Sequence, residues 1–324
     1  MHEAMFYSKD KNYVYCHLCP HHCKLRQGQR GRCKVRINRD GKLFTENYEK
    51  VTSYHFDPIE KKPLFHFYPG STIFSFGSFG CNFSCDFCQN WEIVENKNNY
   101  LTISREDILT LSKASSSIGI AYTYNEPTIN YEFMYDTMRM VKDEDYLNVV
   151  VTNGFINREP LLKILPYIDG MNIDLKSNSE NFYKLICNGS LKPVKDTIRL
   201  ASLYTHVEVS NLIIDGKNSS DDEMDEISSF IAEVNPNIPL HLNRYFPQYK
   251  MEDHATEIDT LVHLRNVAKR KLNHVYIGNV WGVFNDTMCP ECKNTLITRH
   301  LTTEVVGIEN GRCTNCGYQV YGRF

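Results

Sequence analysis

Cysteine is the residue type most able to do chemistry in this chain, and its spacing sorts it into three groups. Cys81-Asn-Phe-Ser-Cys85-Asp-Phe-Cys88 is a C-x3-C-x2-C run. Cys16, Cys19, Cys23 and Cys33 form C-x2-C-x3-C-x9-C, and Cys289, Cys292, Cys313 and Cys316 form two C-x2-C knuckles twenty residues apart. Of the twelve cysteines only Cys187 stands alone, and it reads as a small buried hydrophobe. Four soft ligands saturate a metal, whereas three leave a coordination position open. A [4Fe–4S] cube ordinarily takes four thiolates, so three at this spacing suit a cluster with one iron free for an exogenous ligand. The alternatives for the central group are a zinc knuckle with a distant fourth ligand, or three ordinary buried thiols.

The two outer groups read as closed sites. The C-terminal knuckles carry a zinc-ribbon spacing, with a β-prone stretch at 295–305 between them and Gly311 and Gly317 for tight turns. Zinc there is structural, since four thiolates leave no position for substrate; rubredoxin-type iron is the alternative. The N-terminal spacing does not decide between zinc and a second iron–sulfur cluster. His17, His21 and His22 are candidate substitutes for a cysteine ligand or simply exposed histidines, and His66 reads as a core residue or a substrate-facing one.

Something must hold these groups in place. Strand-like runs at 71–79, 119–123, 147–152, 170–175, 206–214, 239–244 and 274–278 alternate with helix-like runs at 105–113, 130–142, 159–165, 179–185, 221–234 and 256–271. Alternation of this kind predicts parallel β/α units, here an α/β partial (β/α)6 barrel of TIM type. The central cysteines then fall on a loop just after the first barrel strand, the end at which such barrels collect reactive groups. The expected layout is a four-cysteine module and lead-in over 1–70, the barrel over 71–280 and a zinc ribbon over 281–324.

Composition excludes several classes. The 324 residues are 42% hydrophobic, enough for one large core with small appendages. A net charge of −3 gives the whole chain no nucleic-acid footprint, although eight Lys or Arg and one acid lie between Lys24 and Lys42. That run reads as a solvated face or a dock for something acidic, so nucleic acid stays open as a partner. The mixed charges of the first ten residues show no secretory leader, and no apolar stretch reaches the ~20 residues a membrane helix needs. The expectation is a cytoplasmic protein without membrane contact, whose many reduced cysteines mostly bind metal.

The central run resembles the signature of the radical S-adenosylmethionine (SAM) enzymes, including an aromatic residue, Phe87, before the last cysteine. Tyr124-Asn125-Glu126-Pro127 is similar to that family's motif after the second strand. Thr152-Asn153-Gly154 and Asp174-Leu175-Lys176 resemble the following strand ends of the glycyl-radical-enzyme activases, of the pyruvate formate-lyase-activating type. An acid usual in activases before Thr-Asn-Gly is Val151 here. The likeness extends to the radical SAM proteins of the AmmeMemoRadiSam system through Cys16-His-Leu-Cys19-Pro-His-His-Cys23, Leu64-Phe65-His66-Phe67-Tyr68-Pro69-Gly70, His241-Leu-Asn-Arg244-Tyr-Phe-Pro247 and Val275-Tyr-Ile-Gly-Asn279.

This resemblance implies a [4Fe–4S] cluster on Cys81, Cys85 and Cys88 that reductively cleaves SAM to a 5′-deoxyadenosyl radical, which abstracts hydrogen from a substrate. It implies SAM contacts at Phe87, Asn125, Glu126, Asn153, Asp174, Lys176 and His241. Glu126 would accept from the SAM ammonium and Lys176 would pair with its carboxylate. A small electron donor such as flavodoxin or ferredoxin, and the companion proteins of the AmmeMemoRadiSam system, are the implied partners. Glycyl-radical activase is the alternative reaction. A non-catalytic electron carrier or ribbon-type nucleic-acid adaptor is the alternative class, and polar residues at successive strand ends argue against it.

Overall fold

The structure is a computed structural model that describes residues 1–114 and 116–324. Its centre is an eight-stranded sheet: β1 (Ser53–Pro58), β2 (Thr72–Gly77), β3 (Gly119–Tyr122), β4 (Leu147–Thr152), β5 (Gly170–Asp174), β6 (His206–Ile213), β7 (Leu240–Arg244) and β8 (Val275–Gly278). Strands β2 to β8 are parallel and pair in chain order, while β1 pairs antiparallel with β2 at the edge. Helices α1 (Arg105–Ala114), α2 (Tyr131–Asp143), α3 (Arg158–Ile164), α4 (Leu191–Ala201), α5 (Asp221–Val234) and α6 (Ile258–Ala268) make the crossovers. Six β/α units closed by a seventh parallel strand form an open sheet, consistent with an incomplete barrel.

Local chemistry explains most of these elements. The Ser220 hydroxyl caps α5 by accepting from Glu223 N, with Asp221, Asp222 and Glu223 at the positive end of the helix dipole. Met224, Ile227, Phe230 and Ile231 then give α5 its buried face. Helix α4, absent from the sequence expectation, has Pro193 in its first turn, where the missing N–H costs nothing. The run expected as a helix at 179–185 is a short α-turn, Glu180–Phe182, continuing into a π-helix, Tyr183–Cys187.

The strand alternation runs opposite to that of a soluble sandwich. Met171, Ile173, Val207, Val209, Leu240 and Leu242 are buried in the core the helices cover. The intervening Asn172, Glu208 and His241 are also buried, and polar. They are satisfied by the segment at 62–70, which crosses the inside of the sheet: Asn172 Nδ2 donates to Pro63 O at 2.8 Å, and the Phe65 and His66 N–H groups donate to Glu208 at 2.9 and 2.7 Å. His206 and His241 bring their Nε2 atoms to the same carboxylate at 2.9 and 2.6 Å. Ile59, Leu64 and Phe67 cover Ile73, Ala121 and Val149 on the inner face. His66 is a core residue, bonded to the Tyr276 hydroxyl at 2.6 Å and to Tyr321 O at 2.8 Å.

Residues 53–70 therefore belong to the barrel, and the small strands before them make the N-terminal module. At the far end a three-stranded sheet (Thr287–Met288, Thr295–Arg299, Thr303–Val305) and a hairpin (Ile308–Glu309, Arg312–Cys313) carry the last four cysteines. This C-terminal module is fastened to the central sheet, because Arg299 donates to Phe65 O at 2.6 Å and Arg323 pairs its backbone with that of His66 and Tyr68. No described helix is long and apolar enough to cross a membrane.

Glu208 is the joint of this inner layer. Burial would raise its carboxyl, but the bonds from His206 and His241 outweigh burial and hold it well below the usual range. A carboxylate depressed in the folded state adds stability above its unfolded pKa, and that stability is lost as pH falls. Glu208→Gln is expected to cost about 3 kcal/mol at pH 7 in urea unfolding. The gap from wild type should narrow below about pH 4.5. A variant as stable as wild type at pH 7, or a gap that widens in acid, would contradict this role.

Candidate active site

The loop between β2 and β3 carries Cys81, Cys85 and Cys88 to the C-terminal mouth of the sheet, where it has no regular structure of its own until Trp91. Two neighbouring strand ends hold it. After β3, Asn125 accepts from Ser78 N at 3.0 Å and donates to Gly80 O at 2.9 Å. After β4, Asn153 Nδ2 donates to Asn82 Oδ1 at 2.8 Å and lies 3.8 Å from Cys81 Sγ. Asn82 in turn donates to Phe155 O at 2.9 Å. The loop after β7 also reaches it, with Lys250 N donating to Asp86 O at 3.0 Å and Tyr249 stacked on Trp91.

Glu126 fastens the strand ends to each other. Its side chain caps the turn Pro127–Asn130, accepting at Oε1 from Thr128 N (3.1 Å), Thr128 Oγ1 (2.6 Å) and Thr152 Oγ1 (2.7 Å). Oε2 accepts from Asn153 N at 2.8 Å. Burial raises this carboxyl above its ordinary value in spite of those four donors. Glu126 is thus the cap of this turn.

After β5, Asp174 and Lys176 pair at 2.9 Å, and the Lys176 ammonium lies 5.6 Å from the centre of the Phe87 ring. Burial works against the ammonium, but Asp174 and then Cys85 outweigh it and hold Lys176 protonated. These groups share one cavity of about 290 Å³ whose lining includes Cys81, Cys85, Cys88, Phe87, Asn125, Glu126, Asn153, Asp174 and Lys176. His241, grouped with them from sequence, is not in that lining. It sits deeper on β7, held by Glu208, and faces a second cleft.

Cys187, read from sequence as a buried hydrophobe, is buried beside Cys85, and its proximity holds the Cys85 thiol pKa down. It is delivered by the π-helix Tyr183–Cys187, a form common at functional sites. Phe83 N points at Cys81 Sγ from 3.4 Å. Donors aimed at sulfur fit thiolate ligands. Without metal, burial and the nearby Glu126 push the Cys81 thiol well up, so it would keep its proton; a bound metal centre ionises such a thiol outright.

The C-terminal cysteines converge tightly, with Cys289 and Cys316 sulfurs 3.6 Å apart and Cys292 and Cys313 sulfurs 3.7 Å apart. All four lie within 4.8 Å of one another, a metal-binding arrangement. Two of the three N-terminal histidines are hydrogen-bonded elsewhere: His17 meets Ser8 Oγ at 2.8 Å and His21 donates to Asn82 O at 2.7 Å.

The family model described as the Radical SAM superfamily matches residues 76–231 of this chain. The chain belongs to the radical SAM superfamily. An uncharacterised protein of Methanocaldococcus jannaschii is 44% identical to this radical SAM protein over 99% of both chains. The pyruvate formate-lyase 1-activating enzyme of Escherichia coli K12 is 24% identical over 51% of this chain and 70% of its own. The crystal structure of a radical SAM methyltransferase from Sphaerobacter thermophilus shares the fold, with TM-score 0.50, 13% identity and 75% of each chain covered. The protein is thus related to the glycyl-radical activating enzymes. Membership implies a [4Fe–4S] cluster and SAM, and the three-thiol loop with its sulfur-directed donors fits them.

Removing Glu126 would strand the Thr152 hydroxyl and the Asn153 N–H. Glu126→Ala is expected to lose about 2–4 kcal/mol of stability. Glu126→Gln should lose less, because its amide oxygen can keep the three donors at Oε1. Thermal melting of both variants checks this, and equal melting points for Ala, Gln and wild type would refute the role.

Proposed function

We propose that this protein binds a [4Fe–4S] cluster on Cys81, Cys85 and Cys88 and SAM in the adjoining cavity, and abstracts hydrogen from a polar substrate. The supporting observation is one cavity that holds three thiols, an ammonium paired with a carboxylate and a set of strand-end amides. When bound, the cluster and SAM supply reductive cleavage to a 5′-deoxyadenosyl radical. The chain's own part is positioning and exclusion of water. Lys176, steered by Asp174, suits the SAM carboxylate. Glu126 Oε2 already accepts one bond and has capacity for a second from the SAM ammonium. Phe87 offers an apolar wall, and Asn125 and Asn153 keep the cysteine loop rigid.

The substrate site in this reading is the second cleft, of about 830 Å³, which shares Tyr124, Asn243 and Asn279 with the first cavity. His55, Asp57, Lys61, Lys62 and His241 line it, and it opens where β1 and β8 leave the sheet unclosed. The buried Lys62 is held by Asp57 at 2.7 Å, and Tyr124 donates to the same carboxylate at 2.8 Å. Such a lining suits a charged or hydrogen-bonding substrate. A one-electron donor of the flavodoxin or ferredoxin kind, a cytoplasmic setting and companions from the AmmeMemoRadiSam system complete the proposal. The likeness to activating enzymes favours a second reading, abstraction from a protein glycine. Zinc is proposed for the ribbon, whose sulfur separations match the ~3.8 Å edge of a tetrahedron with ~2.3 Å bonds.

Replacing Cys81, Cys85 and Cys88 together with Ala should abolish 5′-deoxyadenosine formation from SAM under anaerobic reducing conditions while leaving the chain folded. A triple variant that forms it at the wild-type rate would overturn the assignment.

A further inference from the structure

The turns that carry the four N-terminal cysteines pack against one another. Cys16 N donates to Cys23 O at 3.0 Å, and the turn closed by Lys34 N to Gly31 O at 2.9 Å carries Cys33. That turn abuts Cys23, since a Cβ on Gly31 would sit 3.5 Å from its sulfur. Cys19 lies on the turn between Cys16 and Cys23, closed by His22 N donating to the Cys19 carbonyl at 3.2 Å. Cys16 and Cys33 are buried.

The spread of these sulfurs separates two kinds of metal site. Among the described residues, the C-terminal ribbon is the only group in which three or more His, Cys, Asp or Glu ligand atoms lie within 4.8 Å of each other. One zinc ion draws its thiolates that close. The N-terminal quartet is wider, and so are Cys81, Cys85 and Cys88. A four-iron cube spreads its thiolates because each binds a different iron. The wider quartet also has a permanent cation beside it. Arg36, 1% exposed, places Nη1 4.0 Å from Cys16 Sγ and Nη2 2.5 Å from Glu132 on α2. A guanidinium keeps its charge when buried, and with Glu132 as its counter-ion it ties the quartet to α2.

The quartet flanks the central loop on both sides of Cys81. A Cβ on Gly80 would lie 2.7 Å from Cys33 O, so the Cys33 backbone packs directly on that glycine, whose φ is +86°. On the other side, His21, between Cys19 and Cys23, donates to Asn82 O at 2.7 Å.

We propose that Cys16, Cys19, Cys23 and Cys33 ligate a second [4Fe–4S] cluster rather than zinc, adjacent to the central one and in electronic contact with it. One electron from a reduced low-potential donor protein takes the second cluster from the 2+ to the 1+ state. It then passes to the central cluster, which goes from 2+ to 1+ as the second returns to 2+; no bond or proton moves. The metal assignment stands independently of the proposed reaction, and the electron exchange rests on it.

The test is metal analysis and EPR of the full-length chain purified and reconstituted anaerobically. Wild type should hold about eight iron and about one zinc per chain. The Cys81/Cys85/Cys88→Ala variant should keep about four iron, with an EPR signal that ignores SAM. A Cys19→Ser/Cys23→Ser variant should also keep about four iron, retain a SAM-responsive signal and lose the spin–spin broadening of the reduced wild type. Wild type with about four iron and about two zinc, or a central triple variant free of iron, would overturn the assignment. Eight iron without spin–spin broadening would overturn the electronic contact. Wild type and the central variant decide the metal even if the Ser variant fails to fold. Iron counts do not depend on SAM cleavage, so the two proposals fail separately.

Discussion

In the proposed function one loop presents three sulfurs to one cluster, and having no helix or strand of its own it depends on the side-chain amides of its neighbours. Asn125 and Asn153 grip it on either side of Cys81, through Gly80 O at 2.9 Å and Asn82 Oδ1 at 2.8 Å. Glu126 then ties Asn153 and Thr152 to the turn after β3. Asn153, Thr152 and Glu126 are buried and Asn125 is half-buried, so leaving one unpaired costs more than the bond itself is worth. The network is therefore stiff, and stiffness is what an open iron needs if its exogenous ligand is to bind in one orientation.

The same economy of buried polar groups shapes the inside of the sheet. Parallel strands usually read as continuous apolar runs because both faces are covered. Here one face is apolar and helix-covered, while part of the other carries Asn172, Glu208 and His241 under the segment at 62–70. The segment supplies N–H groups to the carboxylate, and the ribbon's Arg299 and the chain's last residues clamp the segment. The C-terminal module thus acts on the barrel through the backbone of Phe65 and His66, far from the cysteine loop. The N-terminal module acts at the loop itself, through Cys33 and His21.

Much of this was legible because metal chemistry is written in short spacings. C-x3-C-x2-C, the paired knuckles and Asp174-Leu-Lys176 each sit within a few residues, and the parallel β/α order follows from alternation. What stayed hidden was long-range. Cys187 meets Cys85 across a hundred residues of chain, with only an unremarkable Leu-Ile-Cys-Asn around it. Glu208 is one acid in a strand until His206, His241 and the N–H groups of 65 and 66 converge on it. His241 was grouped with the SAM contacts by the family resemblance alone, and its place on β7 turns it toward Glu208 and the second cleft. The antiparallel β1 was missed because 53–58 alternates no more clearly than the lead-in around it.

The central claim is that an iron held by three thiolates binds SAM directly. The most direct measurement is electron–nuclear double resonance of the reduced protein with SAM labelled by 15N at its amino group. The account predicts a nitrogen hyperfine coupling from a ligand on the cluster, present in wild type and lost with Lys176 and Glu126 both replaced by Ala at the same SAM concentration. A reduced cluster with no coupling to the label at saturating SAM would contradict it.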